Sequence, residues 1–520
     1  SVSGTRLYDA TTNAVASDLS THTNLVGTET LNLSGTGTIA SKNVGSNKTV
    51  SVGTLALADG SNGGLAANYT LSGGTHQLTV NQRPLNATLS RQYDGTTTSA
   101  GSDLSSFDAL QGGETLTLSG SGTSASANVA NGIAMSSNGN LALVDGTGLA
   151  SNYSLNSTVI NITERVLNSS GSKIYDANTD ALAADITLSN LVSGEALNHS
   201  GTATISSANA GSYTITNLAG ITIADGSGGT ASNYTLTGGT HNFTVNPKVV
   251  SIQGNKTYDG NTTISSGDIT SITDTVGAET LVISSGSGTV SSANAATYAS
   301  AGINEGTLTL GNGTNGGLAS NYTLTGHAAS SFQVAQRVLS SSGSRIYDGS
   351  TTASSSDLTL SNLVGSETLT LSGNGTLANA NVGTNKSVTL NTLSIANNSG
   401  LAANYILTGG THQLTVTQRV VNATGTRLYD ATSNADFSDL SLGNLVGSET
   451  LVLSGVGTLA DKNVASNKTV GVGTLSLANG GSGGLAANYT LSGGTHQLTV
   501  NQRPLNATIQ RVYDGGLNAE

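Results

Sequence analysis

The chain has 520 residues, of which 9% are charged and 36% hydrophobic, and its formal net charge is −12 at pH 7. That balance, with no basic cluster, argues against nucleic acid or an anionic membrane as a partner, and the absence of cysteine leaves no disulfide framework. Sixty-eight glycines and few charges suit a disordered polymer, but the apolar residues alternate regularly, which selects packed β-strands.

Taken in order, the chain is a tandem array. Residues 63–88 and 483–508 are identical, GGLAANYTLSGGTHQLTVNQRPLNAT, and looser copies begin near residues 150, 231, 318 and 401. A Tyr-Asp pair recurs at Tyr8, Tyr93, Tyr175, Tyr258, Tyr347, Tyr429 and Tyr513, at spacings of 82 to 89 residues. Such a period is longer than that of most solenoids and suits a small autonomous domain. The expected division is repeat 1 at 1–82, truncated at its N-terminus, then 83–164, 165–247, 248–336, 337–418 and 419–502, with a seventh repeat starting at 503–520. By the same reading the chain is a segment of something longer.

Repeat 5 (337–418) shows the pattern best. A first strand, RVLSSSGSRIYD, leads into a polar turn and then alternating runs over Leu358 to Leu371 and Val388 to Ile395. Two last strands flank Gly409 and Gly410. Six or seven short strands of period two predict an all-β unit, read as a small Ig-like β-sandwich. A β-grasp-like unit with one short helix after Tyr-Asp, and a β-helix, are the alternatives. At the junctions the apolar parity shifts by one residue, from Leu78 and Val80 to Leu85, Ala87 and Leu89, so the chain changes core where one repeat hands over to the next. Pro84, Pro247 and Pro504 stand at junctions, and no flexible linker intervenes. The expectation is closely coupled repeats in an extended rod.

The recurring residues have defined addresses. Besides the Tyr-Asp set (Tyr8-Asp9, Tyr93-Asp94, Tyr175-Asp176, Tyr258-Asp259, Tyr347-Asp348, Tyr429-Asp430), an Asn-Tyr set places Tyr69, Tyr153, Tyr234, Tyr322, Tyr405 and Tyr489. With no Trp and four Phe, these rings are expected as core pillars with their hydroxyls on backbone; sugar stacking is the functional alternative. One Asp before the first Leu strand (Asp18, Asp103, Asp185, Asp268, Asp357, Asp439) and one Glu in the next (Glu29, Glu114, Glu195, Glu279, Glu367, Glu449) also recur. The Asp of Tyr-Asp is assigned to turn chemistry and an ion pair with the base two residues before Tyr: Arg6, Arg91, Lys173, Lys256, Arg345, Arg427 or Arg511. No cofactor is expected, calcium at turns such as Asp59-Gly60 or Asp225-Gly226 being the weaker reading. His76, His241, His412 and His496 are expected as solvated strand-start residues, and Lys48, Lys386 and Lys468 are too irregularly repeated for isopeptide bonds. Every polar feature repeats with the array, so no unique catalytic constellation is present and no enzyme is expected.

The ordered motifs RVL, YDGSTT, SDLTLSNLVGSETLTLSG, ANVG and NYxLTGGTHQLTV resemble the YDG repeat of large bacterial surface proteins, similar in layout to MBG repeats. Repeats 1, 3 and 6 depart from it with Tyr-Asp-Ala. The resemblance implies an extracellular, cell-surface stalk in filamentous-haemagglutinin-like adhesins exported by two-partner secretion, with roles in adhesion and biofilm. It assigns no binding residue. The expected partners are neighbouring repeats of the chain. Copies of itself in a filament are the alternative, and surface glycans a third; no nucleic acid and no membrane insertion are expected.

Overall fold

The computed structural model describes residues 1–215, 217–510, 512, 513 and 515. Arg511 and Asp514, and most of the predicted start of repeat 7 beyond residue 510, lie outside the described residues. Regular structure among the described residues is β-strand and single 3-10 turns, with no α-helix. The alternating sequence dictates this, because its apolar positions fall at period two and never at the helical period. Two units are distinguished, Ser1–Lys248 and Val249–Glu520, and each is taken by itself.

Repeat 5 gives the plan. Its sheet has six strands in the order Thr352–Ser354, Asn374–Leu377, Gly383–Thr389, His412–Thr417, Ser340–Ile346, Leu358–Ser361. The first and last long strands of the repeat pair in parallel at its centre, from Ser341 opposite His412 to Ile346 opposite Thr417. All other pairings in this sheet are antiparallel. A two-stranded ribbon, Leu369–Ser372 with Ser394–Asn397, stands apart from the sheet. Repeats 1 and 2 have the same six-stranded order, and repeats 3, 4 and 6 have the same parallel pair at the centre of smaller sheets. The array is therefore one of tandem all-β repeats, as the sequence predicts. The segment after Tyr-Asp, where a short helix was the alternative, is a single 3-10 turn in every repeat.

That turn accounts for three of the recurring acids. Asp103, Asp268 and Asp357 each accept a hydrogen bond from the backbone N–H three residues earlier, at 3.1, 2.8 and 3.3 Å, capping the turn. The turn packs so closely on the central strand that only glycine fits opposite it. A Cβ on Gly4, Gly343 or Gly425 would lie 1.7 Å from the carbonyl oxygen of Asp18, Asp357 or Asp439. Repeat 2 carries Leu89 at this place, and there the pairing with Leu104–Phe107 is broken by a register shift.

Inward-facing residues of the central strands, such as Leu414 and Val416, are fully buried, and the histidine that opens the last strand is buried with them. This corrects the solvated placement expected from sequence. His76 and His496 each accept at Nδ1 from a backbone N–H, of Val2 and Ala423, and donate from Nε2 to the carbonyls of Leu71 and Leu491. A backbone donor on one ring nitrogen and a carbonyl on the other fix the neutral Nε2–H tautomer. His241 and His412 make the same Nε2 bond, with Ser169 and Ser341 on Nδ1.

The packing of Gly343 sets a test. Gly343→Ala is expected to destabilise repeat 5 by about 1–3 kcal/mol, through the forced displacement of the turn. Urea unfolding followed by circular dichroism measures it, and an unchanged midpoint would refute the close approach.

Candidate functional site

The recurring tyrosines and glutamates meet at the junctions between repeats. At the junction of repeats 1 and 2, the Tyr8 hydroxyl donates to Glu114 Oε1 at 2.6 Å and the Tyr153 hydroxyl to Oε2 at 2.9 Å. The two rings meet edge to face, with centroids 5.2 Å apart. The same triad joins repeats 2 and 3 as Tyr93, Glu195 and Tyr234, with both bonds 2.6 Å. It joins repeats 4 and 5 as Tyr258, Glu367 and Tyr405, at 2.6 and 2.8 Å, and repeats 5 and 6 as Tyr347, Glu449 and Tyr489, both at 2.7 Å. In every case the Tyr-Asp tyrosine comes from one repeat, and the glutamate with the Asn-Tyr tyrosine from the next. The Asn-Tyr hydroxyl also accepts from a backbone N–H, of Gln111, Val192, Val364 or Val446, at 3.0–3.1 Å. The glutamate stands in the turn before its strand, not in the strand where the sequence reading placed it.

Burial sets the electrostatics. It is the main force, followed by the bond to glutamate, that pushes the hydroxyls of Tyr234, Tyr258, Tyr347 and Tyr489 up to about 12. Burial likewise pushes Tyr153 up to about 12, with the Gln111 N–H pulling the other way. Burial alone would raise Glu114, but the Lys42 ammonium, 2.5 Å away, and the two phenols outweigh it and hold this carboxyl below its usual range.

The asparagine of Asn-Tyr forms a second contact across each junction. Asn152 Oδ1 accepts from the Val44 N–H at 2.8 Å, while its Nδ2 donates to Asn43 Oδ1 at 3.0 Å. Asn233 repeats this on Asn128 and Val129, Asn404 on Asn294 and Ala295, and Asn488 on Asn381 and Val382. Sequence reasoning left these asparagines without a role, although the two recurring motifs Asn-Tyr and Ala-Asn-Val were the signal for them. A third contact is an arginine that opens a repeat: Arg83, Arg165, Arg337 and Arg419 donate to the carbonyls of Tyr8, Tyr93, Tyr258 and Tyr347 at 3.2–3.5 Å.

The Tyr-Asp turns are closed locally, as expected. Arg6, Lys173, Lys256 and Arg427 lie 2.8–3.0 Å from Asp9, Asp176, Asp259 and Asp430, Arg345 is 3.5 Å from Asp348, and Arg91 pairs with Asp94. The residue after Asp is left-handed in all these turns. Gly95, Gly260 and Gly349 have φ of 76–80°, and Ala10, Ala177 and Ala431 have φ of 63–69°. Alanine is strained there.

The other candidates occupy structural positions. Tyr175 is buried. Tyr322 donates to Glu279 at 2.6 Å within repeat 4. Tyr69 donates to Glu29 at 2.5 Å, and Tyr429 is half-exposed. Asp59 and Asp225 accept the N–H groups of Ala66 and Ala231, as turn residues do. Lys48, Lys386 and Lys468 donate to turn carbonyls of Ser41, Asn379 and Asp461. Among the described residues no group of three or more His, Cys, Asp or Glu side chains is arranged to hold a metal ion.

A family model described as the YDG domain matches residues 1–78, 75–160, 163–242, 334–413 and 410–498. Residues 243–333 fall outside those matches, and repeat 4, which contains most of them, has the same parallel pair, Ser251–Thr257 with Ser331–Ala335. No curated protein matches the chain. Among solved structures, Drosophila N-cadherin EC1-4 is similar at 8% identity over 65% of this chain and 100% of that chain, at a TM-score of 0.11, too low to bear on fold or function.

Two outcomes follow. Glu449→Ala removes the acceptor for two buried hydroxyls and is expected to cost about 3 kcal/mol in urea unfolding. Glu29→Ala, which strands one half-exposed hydroxyl, should cost well under half of that. In alkali the sign is fixed by tyrosines whose folded value of about 12 exceeds the ordinary 10.0. Their contribution is complete below pH 10.0 and is lost as pH rises through about 12, so the melting temperature should fall in that window as tyrosinate absorbance grows. A flat melting temperature across it would refute the assignment.

Proposed function

The chain belongs to the YDG domain family, and from that membership we propose that it is a structural spacer of a secreted bacterial surface adhesin, an extracellular stalk that holds a binding element away from the cell. The observation that supports this is where the recurring side chains are spent. Tyr8, Tyr153, Tyr405 and Tyr489 are at most 2% exposed, and their hydroxyls are bonded across junctions to neighbouring repeats. Residues used to couple neighbours are not free to recognise a ligand, and buried rings offer no face for a sugar to stack on. The burial of these rings weighs against the multivalent glycan reading, which needs an exposed platform.

Load passes well through such joints. Each combines a charged hydrogen-bond acceptor with an amide pair, one asparagine of which is buried, and at the first two joints a shared apolar cluster is added, so adjoining repeats resist separation in several ways at once. A self-assembling filament is the second reading, favoured by one observation. The sheet edges of repeat 5, Thr352–Ser354 and Leu358–Ser361, carry no charged side chain to block lateral pairing.

Stretching single molecules of the 520-residue chain tests the spacer reading. Discrete events of similar length are expected, roughly 25 nm each for a repeat of this size, with rupture force lowered in E367A and E449A. Smooth extension at low force, or micrographs in which particles thicken into bundles as concentration rises, would overturn it.

A further inference from the structure

In each repeat the long strand that opens it and the long strand that closes it lie side by side and parallel. We propose that this pair is a mechanical clamp, which keeps the repeat folded under tension because a pull on the chain loads the pair in shear. The proposal goes beyond the spacer reading and does not need it, since it follows from the order of strands inside one repeat.

Tension reaches a repeat through the covalent chain, at the start of its first long strand and at the end of its last. In repeat 5 those points are Ser340 and Thr417. In a parallel pair the start of one strand and the end of the other lie at opposite ends of the seam between them. Drawn apart, the strands can only slide along their own length, and the hydrogen bonds of the seam are loaded together. Were the two strands antiparallel, the same two points would share one end, and the bonds would open one at a time.

The seam of repeat 5 is bonded at both ends. It runs from Ser341 opposite His412 to Ile346 opposite Thr417. At its start the Ser341 N–H donates to the Thr411 carbonyl at 3.0 Å, and past its end the Tyr347 N–H donates to the Thr417 carbonyl at 2.9 Å. Ahead of it Arg337 and Val338 already pair in parallel with Tyr405 and Ile406, and the Leu339 N–H reaches the Ile406 carbonyl at 2.9 Å. A side-chain tie crosses the seam as well, from the Ser341 hydroxyl to His412 Nδ1 at 2.9 Å.

Its place in the sheet shields it. Leu358–Ser361 pairs with the opening strand on one flank and Gly383–Thr389 with the closing strand on the other, so neither strand of the pair is an edge. Ser341, His412, Leu414 and Val416 are buried. Water, which would replace a stretched hydrogen bond with one of its own, has no open flank from which to enter. Forced unfolding is governed by the barrier to the first slip and not by equilibrium stability, so a shielded seam loaded in shear is the part that sets the force.

The arrangement recurs with seams of different length. In repeat 2 it runs from Arg83 opposite Tyr153 to Gln92 opposite Thr163, with one register shift. In repeat 3 it runs from Ser169 opposite His241 to Ile174 opposite Asn246, and in repeat 6 from Ala423 opposite His496 to Leu428 opposite Asn501. Repeat 4 keeps a shorter seam, from Gln253 opposite Ser331 to Thr257 opposite Ala335. Sheets of six strands and of four share this centre, so the pair is the part of the repeat that the variation around it leaves alone.

Stretching the 520-residue chain between two introduced cysteines tests this, since the chain has none of its own to compete for the handles. V338C with Q418C pulls on opposite ends of the repeat 5 seam. T351C with Q418C pulls on one end only, because Thr351 lies in the turn that Arg345 closes just past Tyr347. All three sites are exposed, so both double variants should melt with the parent chain, and the loss of the Gln418 bond to the Ala487 carbonyl is common to the two. At one pulling speed the first pair is expected to hold to a force roughly two- to fivefold above the second, and to release its stretch in one event. Equal forces in the two directions, or a higher force for the second pair, would overturn the clamp. Equal forces with discrete events would leave the spacer reading intact, whereas smooth extension at low force in both directions would overturn the two together.

Discussion

A carboxylate shared by two phenols from adjoining repeats is the contact on which the junctions depend. Glutamate at a packed interface loses water on several sides, a cost that only good donors offset. The Tyr-Asp tyrosine supplies one from the preceding repeat and the Asn-Tyr tyrosine another from the same repeat, and their rings pack edge to face. Neither tyrosine can leave without stranding the carboxylate. The coupling is cooperative for that reason: the polar triad forms only when the apolar surfaces around it have closed, and those surfaces are not complete within one repeat. Leu85, Leu116 and Tyr153 of repeat 2 belong to the same buried cluster as Leu19, Leu78 and Val80 of repeat 1.

Much of the repeat was legible in the sequence, because strand alternation, glycine turns and the Tyr-Asp spacing are local signals. The ion pair closing the Tyr-Asp turn was legible too, since Arg and Asp stand three residues apart on one strand end. What alternation cannot carry is pairing order. Ser340–Ile346 and His412–Thr417 are about as far apart as a repeat allows, and nothing in either strand says that they lie side by side in parallel. The histidine misreading has the same origin. His412 looks like a polar residue after a turn, and only the neighbouring strand shows that Ser341 and the Leu407 carbonyl satisfy both its nitrogens.

The sequence reading put the tyrosine hydroxyls on backbone, whereas at the junctions they donate to a glutamate carboxylate. A repeat has two of them, and sequence suggests that both serve its own core. In repeats 2 and 5 they serve two different junctions, one at each end. The pairing became visible only with the glutamate, which lies about 40 residues before one ring and over 100 after the other. The asparagine that precedes the second ring went unassigned for the same reason, since its partners are in another repeat.

The left-handed turn after Tyr-Asp reaches the next repeat. A Cβ on Gly95, Gly260 or Gly349 would come within 2.8–2.9 Å of a methyl of Val192, Val364 or Val446 in the repeat that follows. Ala10 instead faces Gly112, in a repeat where Gln111 replaces that valine. At these places a single methyl added after Tyr-Asp in one repeat would press on the side chain of the repeat that follows, so a change of one carbon in one repeat is felt in the core of its neighbour.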